Sequence, residues 1–214
     1  TGDLSQATAA RPHADAVEFR MDLTSDPLDA LADYSGSLPL IVTNRVAWEG
    51  GQAEDALERL DALETAIEHP AVEAVDIELA AIREGDGGRV LEAAREHDIS
   101  VIVSTHDFEE TPDRDRLDAL LAAATEHGEV GKLAVTATSV DDVLDLLAAT
   151  RAATTAGRTV ATMAMGAVGR HSRAVAPLYG SRIGYAPVDP ANATAPGQYD
   201  LATLSALVSR LRDG

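Results

Sequence analysis

The chain has no cysteine, which excludes a disulfide framework and thiolate chemistry and leaves the redox compartment unread. Basic residues are scarce: 17 against 36 acidic ones, for a formal charge of -19. Such a field repels nucleic acid and anionic membrane surfaces, so neither is an expected partner. No segment reads as a signal peptide, and no apolar run reaches the roughly 20 residues of a membrane span. A cytoplasmic protein is therefore expected. Aromatics make up only 3% of the 214 residues. Acid-rich, alanine-rich and lysine-poor together suggest a high-salt cytoplasm, where a Debye length of roughly 3 Å would screen the self-repulsion.

Scarcest of the charged residues is lysine. Sixteen of the basic residues are arginine, and Lys132 stands alone. It lies in Val130-Gly131-Lys132-Leu133-Ala134-Val135-Thr136, a run that reads as a buried strand. Burial disfavours the charged form of an amine, and a desolvated, partly neutral amine is what a carbonyl substrate needs to form a Schiff base. The alternative is a lysine at a strand end whose head snorkels into water.

Short apolar runs alternate with amphipathic acidic segments. Strands are expected at 16–22, 38–45, 72–79, 100–107, 129–136, 159–166 and 182–188. Helices are expected at about 3–11, 27–34, 52–69, 87–97, 112–127, 139–156, 171–180 and 200–212. Ser139 before Asp141 and Asp142 suits a helix start, as does Thr111 followed by Pro112 at the first helical position. Regular βα alternation implies a parallel sheet covered by helices. The pattern fits a single α/β domain over 1–214, a (β/α)8 TIM barrel whose first barrel strand is expected upstream of residue 1. An open doubly wound sheet is the other architecture, weakened because no Gly-rich fingerprint follows an early strand.

Parallel strands are usually apolar on both faces, yet here one face is ionisable. Period-2 alternation puts Glu18, Arg20 and Asp22 together in the first run, Thr43 and Arg45 in the second, and Asp76 and Glu78 in the third. Ser104 and His106 follow in the fourth, then Lys132, Ala134 and Thr136. Buried charges must be paired, and the carboxylates here nearly balance Arg20, Arg45 and Lys132. A structural ion-pair network explains the balance. It does not explain a titratable histidine and the lone lysine in one enclosure, near the strand ends where barrel active sites sit.

His106 ends one strand and Lys132 lies on the next. An imidazole beside a Schiff-base amine can move a proton next to an activated carbonyl. The other histidines fall at helix C-termini (His69, His97, His127), in a loop (His13) or in an ambiguous position (His171). None has convincing ligand spacing, so no metal is expected. Gly166-x-x-Gly169 before Ser172-Arg173 could hold an anion, and Arg173 is a reasonable carboxylate clamp.

Taken together, these segments resemble the type I 3-dehydroquinate dehydratases, Schiff-base enzymes of the shikimate pathway. The matching stretches are Glu18-Phe19-Arg20-Met21-Asp22, Thr43-Asn44-Arg45, Glu49-Gly50-Gly51 and Ser104-Thr105-His106-Asp107-Phe108. They continue through Lys132-Leu133-Ala134, Met163-Ala164-Met165-Gly166, Ser172-Arg173 and Ala195-Pro196-Gly197-Gln198. The resemblance implies a (β/α)8 barrel, usually a homodimer, that turns 3-dehydroquinate into 3-dehydroshikimate without a cofactor. It implies that Lys132 forms the imine, that His106 is general acid and base, and that Glu49 orients the histidine. Arg173 would hold the substrate carboxylate, while Glu18, Arg20, Arg45 and Gln198 contact hydroxyls and ring edge. Thr194 stands where the family commonly has serine, keeping the hydroxyl for binding. The rival functions are a class I aldolase-like barrel, which also uses a lysine imine, and a non-catalytic acidic module.

Overall fold

Six of the seven apolar runs fold as strands: β1 (Val17–Arg20), β2 (Leu40–Thr43), β3 (Val72–Glu78), β4 (Ser100–His106), β5 (Val130–Thr136) and β6 (Val160–Met165). Their order in the sheet follows the chain, and β1–β2, β2–β3 and β5–β6 pair in parallel. The computed structural model describes residues 1–212. Helices separate the strands: α1 (Ala7–Ala10), α2 (Pro27–Ala32), α3 (Leu57–Ile67), α4 (Leu79–Glu84), α5 (Gly88–Glu96), α6 (Arg114–Ala124), α7 (Val140–Thr155), α8 (Gly166–Gly169), α9 (Ser172–Tyr179) and α10 (Leu201–Arg212). Two compact units result, Thr1–Val103 and Ser104–Gly214.

In the first unit α3 packs on β2 and β3. Its buried residues Leu60, Leu63, Ala66 and Ile67 recur at spacings of three and four, the apolar stripe of an amphipathic helix. They meet a core of Phe19, Leu40, Val42, Val75 and Ile77. Each large side chain fully buried there contributes about 1.5–3 kcal/mol. In the second unit α6 packs on β5, and both α7 and α9 on β6. Leu117, Leu121, Leu133, Leu146 and Met165 are its large, fully buried side chains. Here α7 begins with a reciprocal capping box, Ser139 accepting from Asp142 N while the Asp142 carboxylate accepts from Ser139 N.

Two sequence expectations need correction. The start of α6 is not Thr111-Pro112. Asp113 is the N-cap, its side chain accepting from Arg116 N, while Thr111 Oγ1 donates instead to Thr136 O at 2.9 Å. A carboxylate next in line is a stronger cap than a hydroxyl already engaged elsewhere. The run 182–188 also forms no strand. At its start the pairing with β6 is one isolated bridge, Val160 to Ser181, with Arg182 N donating to Val160 O at 2.8 Å. Beyond it Gly184 weakens a strand, and Pro187 has no N–H to give a ladder.

Candidate active site

In the first unit the expected polar face is present as a connected ion-pair network. Strand β1 ends at Arg20, and Met21–Leu23 turns as a 3₁₀ helix. The turn folds Asp22 back under Arg20, whose Nε and Nη2 donate to its two carboxylate oxygens at 2.8 and 2.7 Å. Asp22 also accepts from the backbone of Arg45 and Gln52. Register pairs Arg20 with Thr43 and Thr43 with Asp76, and Thr43 Oγ1 donates to Glu18 Oε1 at 3.1 Å.

Arg45 is the hub, 3% exposed. Its Nη2 reaches Asp76 Oδ1 at 2.6 Å, and its Nη1 reaches Glu78 Oε1 at 3.0 Å and Glu49 Oε1 at 3.6 Å. Burial alone would lower the Arg45 pKa, but Asp76, Glu78 and Glu49 outweigh it and the net shift is upward. The same balance raises the Arg20 pKa: burial opposes it, while Asp22 and Glu18 prevail. Glu49 is buried at the end of a 3₁₀ turn, Ala47–Glu49, closed by Gly50 in the left-handed region at φ 79°. The next residue, Gly51, lies so close under Arg45 that a Cβ there would overlap its carbonyl. These glycines let the chain double back and return Glu49 to Arg45.

Sequence reasoning missed Arg59. From α3 its Nη1 donates to Glu78 Oε2 at 2.9 Å and to Asn44 O at 3.0 Å, while Asn44 Nδ2 donates to Arg59 O. The signal was available: Arg59 precedes Leu63 by four and Ala66 by seven, which places it on the buried stripe.

In the second unit Lys132 is 5% exposed on β5, between fully enclosed neighbours, so the snorkelling alternative does not hold. It aligns with Ala161 on β6, and Ala134 aligns with Met163. Ala134, Met163 and Met165 form a buried cluster against which Tyr185 and Ala195 pack. The Tyr185 ring sits under the amine, its centroid 4.3 Å from Lys132 Nζ. Tyr185 was also missed, because it falls in an apparent strand and only the fold shows what it covers. His106 ends β4 half-buried, its ring stacked on Phe108 with centroids 6.0 Å apart. Asp107 N donates to Ala134 O at 2.8 Å, so β4 ends beside a residue two steps from Lys132.

Arg173 enters from the first turn of α9, 4% exposed. Its Nη2 donates to Pro196 O at 3.3 Å, and its buried Nε has no hydrogen-bond partner among the described residues. Burial lowers its pKa to about 10. Ser172 is structural, its hydroxyl accepting from Ala164 N at 2.9 Å. The loop carrying Pro196 is held by its own Gln198, whose Oε1 accepts from Thr194 N and Ala195 N and whose Nε2 donates to Tyr185 O. Thr194 is exposed. Gly197, at φ 79°, packs its backbone directly on Gly166, whose N donates to Pro196 O. His171 is exposed, with Nδ1 3.1 Å from Val168 O. Among the described residues no group of three or more His, Asp or Glu could hold a metal, and no helix is long and apolar enough to cross a membrane.

Within one unit, then, lie a single buried amine over an aromatic face, a half-buried strand-end imidazole and a buried guanidinium that has no carboxylate partner among the described residues. The set suits a substrate that carries both a carbonyl and an anion.

Comparison with known proteins points the same way. Residues 2–212 match the model of the type I 3-dehydroquinase family. The 3-dehydroquinate dehydratase of Haloarcula marismortui is 61% identical over 99% of this chain and 94% of that protein. The enzyme of the same name from Halobacterium salinarum is 52% identical over 99% and 95%. Among solved structures, the 3-dehydroquinate dehydratase of Geobacillus kaustophilus HTA426 superposes with a TM-score of 0.86 at 29% identity, over 98% of this chain and 86% of that one. The type I enzyme of Clostridium difficile, described with covalently modified comenic acid, gives 0.83 at 25% identity, over 97% and 86%.

Proposed function

We propose a chemical route that starts from one premise: the chain belongs to the type I 3-dehydroquinase family and dehydrates 3-dehydroquinate to 3-dehydroshikimate, a step of the shikimate pathway. The Lys132 amine attacks the ring ketone, and loss of water leaves a protonated imine. That cation is the electron sink for the next step. His106 removes the proton alpha to the imine carbon, then gives it to the departing hydroxyl as general acid. Water afterwards hydrolyses the imine with His106 again moving the proton, and Lys132 is restored. Glu49 orients the histidine.

Arg173 holds the substrate carboxylate. A buried guanidinium without a carboxylate costs free energy until an anion arrives, which supports this role. Glu18, Arg20, Arg45, Thr194 and Gln198 bind the hydroxyls and ring edge. Arg20 and Arg45 are clamped by carboxylates, so they present fixed donors, and fixed donors cost no reorganisation when a substrate arrives. Regular βα alternation within each unit supports the reading of a (β/α)8 barrel fold. The enzyme acts as a cytoplasmic homodimer and uses no cofactor.

The observation that carries the route is the burial of Lys132 at 5% exposure among apolar neighbours of β5 and β6. Its test is trapping: incubation with 3-dehydroquinate and borohydride, followed by intact mass and peptide mapping. One reduced adduct on Lys132 is expected. A silent spectrum, or an adduct elsewhere, refutes the imine.

A further inference from the structure

Tyr185 has no role in the steps above, yet its ring is the aromatic surface set against the reacting nitrogen. At 4.3 Å from ring centroid to Nζ, the amine lies well inside the roughly 6 Å over which a ring face attracts a cation. The ring is also fixed. It packs against Ala134, Met163 and Met165, with Ala195 beside it, and its backbone carbonyl accepts from Gln198 Nε2. Lys132 and Ala134 share one face of β5, and their partners across the register are Ala161 and Met163. Two alanines leave room for the ring, and the methionines, whose thioethers fill irregular gaps, close around it.

We propose that Tyr185 is a positioning residue whose ring face holds the Lys132 nitrogen, as ammonium before reaction and as protonated imine during it; this rests on the imine route above. Forming that imine makes a C–N bond and breaks the ketone C–O bond. Counted from the ammonium, no net proton is taken up: two of its three hydrogens leave with the ketone oxygen as water, and the nitrogen keeps one hydrogen and the positive charge. A carboxylate under the nitrogen would also attract this charge, but it would accept the N–H bonds and could remove the proton. An aromatic face attracts the cation and takes no proton. When the alpha proton is removed, the nitrogen passes through a neutral enamine and the attraction lapses; it returns as the hydroxyl, protonated by His106, leaves as water. The ring therefore favours the imine stages over the enamine, and its removal shows first in how much imine accumulates.

The test replaces Tyr185 with Phe, with phenylalanines bearing one to four ring fluorines, and with Leu. Borohydride trapping at saturating 3-dehydroquinate is then read by intact mass. Fluorination hardly changes ring size but withdraws charge from its face, so packing stays while attraction fades. Tyr185→Phe is expected to trap within about twofold of the parent. Trapping should then fall stepwise with each fluorine and reach about tenfold loss, the size of a desolvated cation–ring contact, with Leu lowest. A flat series, with the parent still trapping at Lys132, overturns the role of Tyr185 and leaves the imine route standing. Collapse on Tyr185→Phe alone assigns the effect to the hydroxyl and also overturns the proposal. Absence of any Lys132 adduct in the parent removes the imine route and this inference with it.

Discussion

Arg173 Nη2 meets the carbonyl oxygen of Pro196 at 3.3 Å, a neutral acceptor where a buried guanidinium elsewhere in this chain has a carboxylate. Arg45 shows the contrast: equally buried, it is held by three carboxylates and its pKa rises, whereas burial takes Arg173 down to about 10. A folded pKa below the ordinary 12.5 means the folded state holds this proton less tightly than the unfolded one. The cost to folding is therefore full below about pH 10 and eases as pH rises through that value.

Arg173→Met should accordingly separate function from stability. Loss of a charge-assisted hydrogen bond to the substrate raises KM by about 10- to 100-fold. The ligand-free protein should melt no lower than the parent, since the replaced charge had no counter-ion. Steady-state kinetics and thermal melts read both. An unchanged KM refutes the clamp.

Lys132→Ala should lose the borohydride-trapped adduct altogether. His106→Ala should still form it but turn over about 10²- to 10⁴-fold more slowly, the usual contribution of a positioned acid–base group. Mass spectrometry beside kcat distinguishes the two, and normal turnover in either variant refutes its assignment.

The first unit predicts a stability effect without chemistry. Glu78 accepts from Arg45, Arg59 and Val46 N. Glu78→Leu would leave Arg59 facing only Asn44 O, and breaking a buried pair from one side costs about 3–5 kcal/mol. Urea unfolding should show that loss as a lower midpoint at unchanged slope. A midpoint equal to the parent's would mean that the pair contributes nothing.

Asp142 gives a pH-dependent case. Hydrogen bonds from Thr138 N and Ser139 N lower its pKa to about 2. A depressed carboxylate stabilises fully above the ordinary value near 3.8, and that contribution is lost as pH falls through about 2. Asp142→Ala should cost about 1 kcal/mol near neutral pH, or roughly 2–4 °C in Tm. The difference from the parent should shrink progressively below pH 4. A gap that persists at pH 1.5 would assign it to packing instead.

The charge of -19 repels itself, and salt screens that repulsion. Relatives from halophilic archaea, 52–61% identical, share the chain's full length. Thermal midpoints should climb from low to molar KCl. A flat profile would remove salt adaptation as the reason for the acidic surface.

What could be read from sequence was what local pattern controls. Alternation and apolar runs placed β1 to β6 within a residue or two at most ends, because their burial follows period and composition. Lys132, Arg45 and Asp76 were legible as anomalies, ionisable groups where a parallel sheet is normally apolar. The failures came where neighbours decide. Asp113 outcompeted Thr111 because Thr136 O claimed the threonine hydroxyl. The run 182–188 has the composition of a strand but not the ladder, and Tyr185 acquires meaning only from the amine beneath which it lies. Arg59 was passed over although its spacing puts it on the buried stripe of α3, and only the fold shows that Glu78 and Asn44 meet it there. Gln198, expected to contact the substrate, also holds Thr194 N, Ala195 N and Tyr185 O, loop contacts that sequence spacing alone could not rank.

Because β5 carries the chain's sole lysine, amine-directed reagents find one side-chain target, set inside the enclosure rather than on the surface. Reductive methylation of the intact protein thus becomes a stoichiometric gauge of occupancy. Whatever sits over that nitrogen shields the one lysine that could react, and the fraction left unmethylated counts filled sites without any assay of turnover.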